Sequence, residues 1–167
     1  LLLNEINKQL DLQLQAIEYD SLVVASNRTI INYLQYSEDS FERISRNSEM
    51  IDMLSRHSYV KEAVHSVQLY AKDTSVNAHI GANGVFAYEL LENSPSYELI
   101  RDADSAWLGA HPLEVEGYLA GEKAVVSFMR KVLSSTGKEI GVLVFNLKLS
   151  YMQHLISGDA TEEGRYI

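Results

Sequence analysis

The chain has 167 residues, is 46% hydrophobic and carries 23 acidic against 14 basic side chains, a formal charge of −9. That is enough apolar material for one core of ordinary size, and the scattered cations argue against a nucleic-acid surface, which needs clustered Lys and Arg. The absence of cysteine excludes a disulfide framework, a thiolate metal site and a cysteine nucleophile.

The chain opens on Leu1 and closes on Arg165-Tyr166-Ile167, which reads like the start of a strand. Both ends are therefore expected to be cut from a longer protein. No run approaches the ~20 apolar residues that span a bilayer, and Glu5, Lys8, Asp11 and Glu18 interrupt the leucine-rich start.

From Leu3 to about Leu34 there is neither Gly nor Pro, and apolar residues recur at Leu3, Ile6, Leu10, Ile17, Val24, Ile31 and Leu34. This spacing predicts one helix, about 50 Å long at ~1.5 Å per residue, more than the body of such a domain needs. Polar gaps at Gln13, Asp20 and Asn27 narrow the stripe to a coiled-coil-like seam. Two readings stand. Either a second stripe, Leu14, Leu22 and Ile30, lies on the protein's own sheet, or the seam also pairs with the same helix of a second subunit. Ser40 is the expected N-cap of a second helix running through Ile44, Ile51 and Leu54 to about Ser58.

The period then changes from 3.6 to 2. Val64 to Lys72 reads as a strand with Val67, Leu69 and Ala71 on one face and Ser66, Gln68 and Tyr70 on the other. The Gly81-Ala-Asn-Gly84 turn divides Asn77 to Leu91 into two short strands, the second from Val85 to Leu91. A helical insertion from Tyr97 to about Ala106 carries Trp107 and ends near His111-Pro112. Lys123 to Leu133 and Ile140 to Leu149 form an antiparallel hairpin around Ser134-Ser-Thr-Gly-Lys-Glu. Its second arm is apolar on both faces and is expected at the sheet centre. Tyr151 to Ser157 form a closing helix with Gly158 as its C-cap. The expected fold is α+β, a long N-terminal helix packed on a mainly antiparallel sheet of about five strands. The organisation is a helical segment, 1–62, and a sheet module, 63–167, forming one domain.

This organisation resembles the Cache-type, PAS-like extracellular sensors of Gram-positive bacteria that precede YesM-like histidine kinases or AraC-type regulators. The resemblance rests on Asn27-Arg-Thr-Ile-Ile-Asn-Tyr-Leu in the long helix, Val64-His-Ser-Val-Gln-Leu-Tyr in the first strand, Trp107, and the arm Ile140-Gly-Val-Leu-Val-Phe-Asn-Leu. It implies a membrane-anchored parent with this domain on the extracellular side, a membrane helix before Leu1 and a membrane-proximal module after residue 167. Amino-acid-binding members of that family carry a Tyr, Arg, Trp and Asp signature. Tyr97, Arg101 and Trp107 are similar in type, but their spacing departs from it, so an amino-acid ligand is not inferred.

Catalytic chemistry is not indicated. His57, His65, His79, His111 and His154 lie far apart, without the i, i+4 pair of a helical metal site. Asp102 with Asp104 and Glu162 with Glu163 read as solvated faces, and there is no nucleophile elbow, phosphate loop or dinucleotide fingerprint. No metal or cofactor is expected. Asn27-Arg-Thr matches a glycosylation acceptor but falls inside the expected helix. What remains is binding: Gln68, Tyr70, Tyr88, Arg101, Trp107 and Arg130 come from elements expected to surround one cavity, where aromatics and an arginine suit a small polar or carboxylate-bearing ligand. A small molecule or an extracellular partner protein is the expected input, and a homodimer through the N-terminal helix the expected assembly. A structural dimerisation module with a filled core is the competing reading.

Overall fold

The computed structural model describes residues 2–35, 41, 45–72, 78–113 and 124–154. Among the described residues three helices come first, α1 (Leu2–Ala25), α2 (Arg28–Gln35) and α3 (Asn47–Val60). The strands β1 (Val64–Ala71), β2 (Ala78–Ile80) and β3 (Asn83–Ala87) follow. Two short helices, α4 (Tyr88–Glu92) and α5 (Tyr97–Arg101), precede β4 (Ser105–Pro112), β5 (Ala124–Leu133) and β6 (Glu139–Lys148). Residues 149–154 add a closing helical turn.

The six strands form one sheet in the order β2-β3-β1-β6-β5-β4. The fold is α+β as expected, with one strand more and a mixed sheet, because β1 and β3 run parallel while the other neighbours are antiparallel. The expected central arm, β6, lies between β1 and β5 and is buried along nearly its whole length. Val142, Val144 and Phe145 are at most 5% exposed.

The single N-terminal helix is corrected to two. Helix α1 ends at Ala25, and Asn27 starts α2 by accepting the Thr29 N–H at 2.8 Å on its side-chain oxygen. A residue able to satisfy the orphan donors of a new helix ends the old one without any Gly or Pro. Asn27 is thus a cap, not a mid-helix residue. Three boundaries also move. Helix α3 begins at Asn47, with Ser40 and Ile44 outside the described residues. Strand β3 stops at Ala87, and Tyr88 already belongs to α4. The insertion helix ends at Arg101, which puts Trp107 on β4. Lys123 and Gly158 lie outside the described residues.

The three long helices cover one face. Ile17, Val24, Ile30, Leu34, Met50 and Leu54 pack there on Val67, Leu69, Leu143 and Phe145 in one core. Gly141 lets α2 come close: a Cβ there would stand 3.2 Å from Leu34 and 2.8 Å from the Tyr70 carbonyl oxygen. The seam residue Ile17 is only 1% exposed and serves this core. Ile6 is buried too, while Leu10 and Leu14 line a shallow apolar groove closed by Leu147, Tyr151 and Met152. The apolar side chains that α1 turns outward are Leu2, Leu3, Leu12, Tyr19, Leu22 and Val23, so of the seam residues Leu3 is exposed. Leu22, expected to lie on the sheet, is among them. Among the described residues no helix is long and apolar enough to cross a membrane.

Candidate functional site

The opposite sheet face is built differently. Alternation in β1 sends Val67, Leu69 and Ala71 into the helix-packed core and leaves Ser66, Gln68 and Tyr70 on the other side. In β5 the residues on that other side read Val125, Ser127, Met129; in β6 they read Val142, Val144, Asn146. Two apolar patches result. Met129, Val142 and Val144 pack under Tyr88, Leu91 and Ile100 of α4 and α5, and Val125 packs with Ala82 and Leu113.

Between these patches runs a buried polar row across four strands. Ser66, Gln68, Ser127 and Asn146 are at most 3% exposed. Ser127 Oγ donates to Asn146 Oδ1 at 2.6 Å. Asn146 Nδ2 donates to Ser66 Oγ at 3.1 Å and to Gln68 Oε1 at 3.0 Å. His111 Nε2 stands 2.7 Å from Ser127 Oγ at one end, and His65 Nδ1 stands 3.0 Å from Ser66 Oγ at the other. Tyr70 donates to Gln68 Oε1 at 3.3 Å. Burial pushes the Tyr70 phenol up to about 12, so it remains a neutral donor. One group in the row is left over: Gln68 Nε2 is shut off from solvent and has no hydrogen-bond partner among the described residues.

Beyond the first patch the face ends in a charged aromatic corner. Tyr88 donates to Glu139 Oε1 at 2.7 Å, and Glu139 Oε2 also meets Lys72 Nζ at 3.5 Å. Lys72 lies 5.3 Å over the Tyr88 ring, and Tyr97 meets that ring edge-on. Burial, followed by the Glu139 hydrogen bond, raises the Tyr88 phenol far above its ordinary value.

The six residues singled out from the sequence separate into three places. Gln68 and Tyr70 lie together on the polar face. Tyr88 stands at its corner, and Arg101 is exposed at the end of α5, turned to Asp102 at 3.2 Å. Trp107 and Arg130, expected over the same face, are on the other side of the sheet. Trp107 pairs with Phe128 across β4 and β5, its ring 4.7 Å away, and Nε1 donates to Glu18 Oε1 of α1 at 2.7 Å. Arg130 Nε donates to Ser21 Oγ of α1 at 2.9 Å. Strand alternation is the reason: with Trp107 on a strand, its neighbours Ala106 and Leu108 take the polar-face side. Sequence reasoning also missed Asn146, Ser127, Ser66 and His111. Asn146 did leave a signal, as the one polar residue in the apolar run Ile140 to Leu147. Among the described residues no cluster of three His, Asp or Glu side chains is arranged to hold a metal ion.

No family model and no curated protein matches the chain in sequence. In structure it is similar to the ligand-binding domain of the Campylobacter jejuni chemoreceptor Tlp3, solved in complex with L-valine. The TM-score is 0.61 at 13% identity, over 93% of this chain and 60% of that one. The chain thus spans less than two thirds of that domain, and the likeness shows a shared PAS/Cache-like fold.

Proposed function

We propose that this chain is the ligand-sensing domain of a membrane-anchored bacterial signalling protein, lying on the extracellular side and binding a small molecule on the sheet face opposite α1. The observation that carries this reading is the buried polar row with its unsatisfied Gln68 amide. A domain that only needs a core gains nothing from four buried, connected polar side chains and one unpartnered donor. The shared fold with a chemoreceptor ligand-binding domain supports the sensing class. The sequence resemblance supports a histidine kinase or an AraC-type regulator as the parent.

Transmission follows from the other face. Glu18 and Ser21 of α1 take hydrogen bonds from Trp107 on β4 and Arg130 on β5, so a shift of the sheet edge moves the middle of α1. A second reading, a dimerisation module, is favoured by the outward stripe Leu12, Tyr19, Leu22 and Val23. The two readings are compatible, with a homodimer of the parent meeting through α1.

The test is thermal denaturation of the domain against amino acids, sugars, polyols, dicarboxylates and short peptides. A ligand present at 100 times its dissociation constant adds about 2.7 kcal/mol of stability. A transition unmoved by the whole panel contradicts sensing and leaves the dimerisation module.

A further inference from the structure

We propose that the polar row recognises an uncharged, oxygen-bearing small molecule whose acceptor bonds Gln68 Nε2, and not a free carboxylate. This rests on the sensing reading above and deepens it to a ligand class.

The first step is the direction of the Gln68 amide. Its oxygen receives Asn146 Nδ2 and the Tyr70 hydroxyl, and turning it round would set two N–H₂ groups against each other. The unpartnered end is therefore the nitrogen, a donor that calls for an acceptor. A buried donor left without one costs about 1–3 kcal/mol, a cost that a ligand oxygen removes on binding.

The second step is charge. A buried carboxylate needs a cation or several convergent donors, and the described cations near this face are engaged elsewhere, apart from Lys148, which stands beside Val125 at the partly exposed end of β6. Lys72 is paired with Glu139, Lys131 Nζ donates to the Arg101 carbonyl oxygen at 2.7 Å, and the Arg101 guanidinium is exposed and turned to Asp102. Arg130 is on the far side of the sheet, against Ser21. Among the described residues the row itself offers amide, hydroxyl and imidazole groups only. Beside it Met129, Val142 and Val144, packed under α4 and α5 in the free domain, provide an apolar floor once that cover lifts. An amide or alcohol oxygen set on a small apolar body matches both halves.

The experiment uses two probes with the same side chain, N-acetyl-L-valinamide, which is neutral with two carbonyl acceptors, and L-valine, a zwitterion with a free carboxylate and ammonium. Each is titrated into the ¹⁵N-labelled 167-residue chain while the side-chain amide pair of Gln68 is followed by NMR. The neutral probe is expected to shift that pair and to bind at least about tenfold more tightly than L-valine. Gln68→Met is expected to weaken it about tenfold, the size of one lost hydrogen bond. The wild-type shift stands as a readout even if the variant folds poorly. Binding of L-valine as tight as that of its neutral counterpart, or shifts across this face that bypass Gln68, overturns the inference while leaving the sensing reading intact. Silence of Gln68 toward both probes overturns it as well. The sensing reading is then decided separately by the thermal panel.

Discussion

The two faces of one sheet are made from alternate residues of the same strands, yet they follow opposite rules. On the side of α1, Leu143, Phe145 and Leu147 of β6 meet three helices in a dry apolar core. One residue out of step, Val142, Val144 and Asn146 meet two five-residue helices and a polar row with a donor to spare. The first face is optimised for stability and the second gives some of it up. Such local disagreement with the rules of core packing is where binding is expected.

The contrast is tested first on β6 itself. Phe145→Ala should cost about 3–5 kcal/mol in chemical denaturation, as for a fully buried ring. Asn146→Leu, its neighbour on the other face, should cost about 1–3 kcal/mol by stranding Ser66, Gln68 and Ser127. Equal losses would erase the distinction. Trp107→Phe keeps a six-membered ring on Phe128 and removes the pyrrole ring with its donor to Glu18. It should cost about 1.5–3 kcal/mol and leave ligand-induced stabilisation unchanged, whereas altered affinity would return Trp107 to the binding face.

A smaller effect is read from pH. His57 on α3 packs edge-on against Phe145 at 5.3 Å. Burial, partly opposed by Asp20 and reinforced by Lys61 and Arg56, holds its imidazole below the ordinary value of 6.5. The unfolded chain therefore takes up this proton first. Stability falls as pH drops below about 6.5, until the folded His57 itself protonates. His57→Gln should flatten this part of the pH profile, and an unchanged slope would remove His57 as its source. The smallest effect on the domain concerns the outer surface of α1. In the proposed membrane-anchored parent, Tyr19→Cys should cross-link across the proposed dimer and Ile17→Cys should not, because Ile17 is buried in the protein's own core. The reverse pattern would restore the inner seam.

The sequence made the sheet legible where its signal is local. The alternation of Val67, Leu69 and Ala71 placed β1, and the two-sided apolarity of Ile140 to Leu147 placed β6 at the centre. It misled where long-range packing decides. The 3.6-residue stripe of α1 is the same whether it faces a sheet or a second helix, and burial of Ile17 and Ile6 is visible only in the assembled chain. Trp107 was misplaced because Ser105–Pro112, with Gly109 and a register shift between Leu108 and His111, lacks clean strand alternation. Half of the site was within reach: Gln68 and Tyr70 follow from alternation, but the meeting of Asn146, Ser127 and His111 depends on pairing between strands far apart in the chain.

The central claim, a fixed face and an openable one, is tested most directly by native-state hydrogen exchange of the free domain. Gln68 Nε2 is closed off from solvent, so a ligand reaches it only if its cover moves. Beside it the apolar half of the same face lies under α4 and α5, five residues each, too short to hold themselves together. Amides of α4 and α5 should exchange through local opening roughly a hundredfold faster than those of β1, β6 and the 17–25 stretch of α1, which should open only with the whole domain. Exchange from α4 and α5 as slow as from α1 would mean that both faces are equally closed, and would contradict the account.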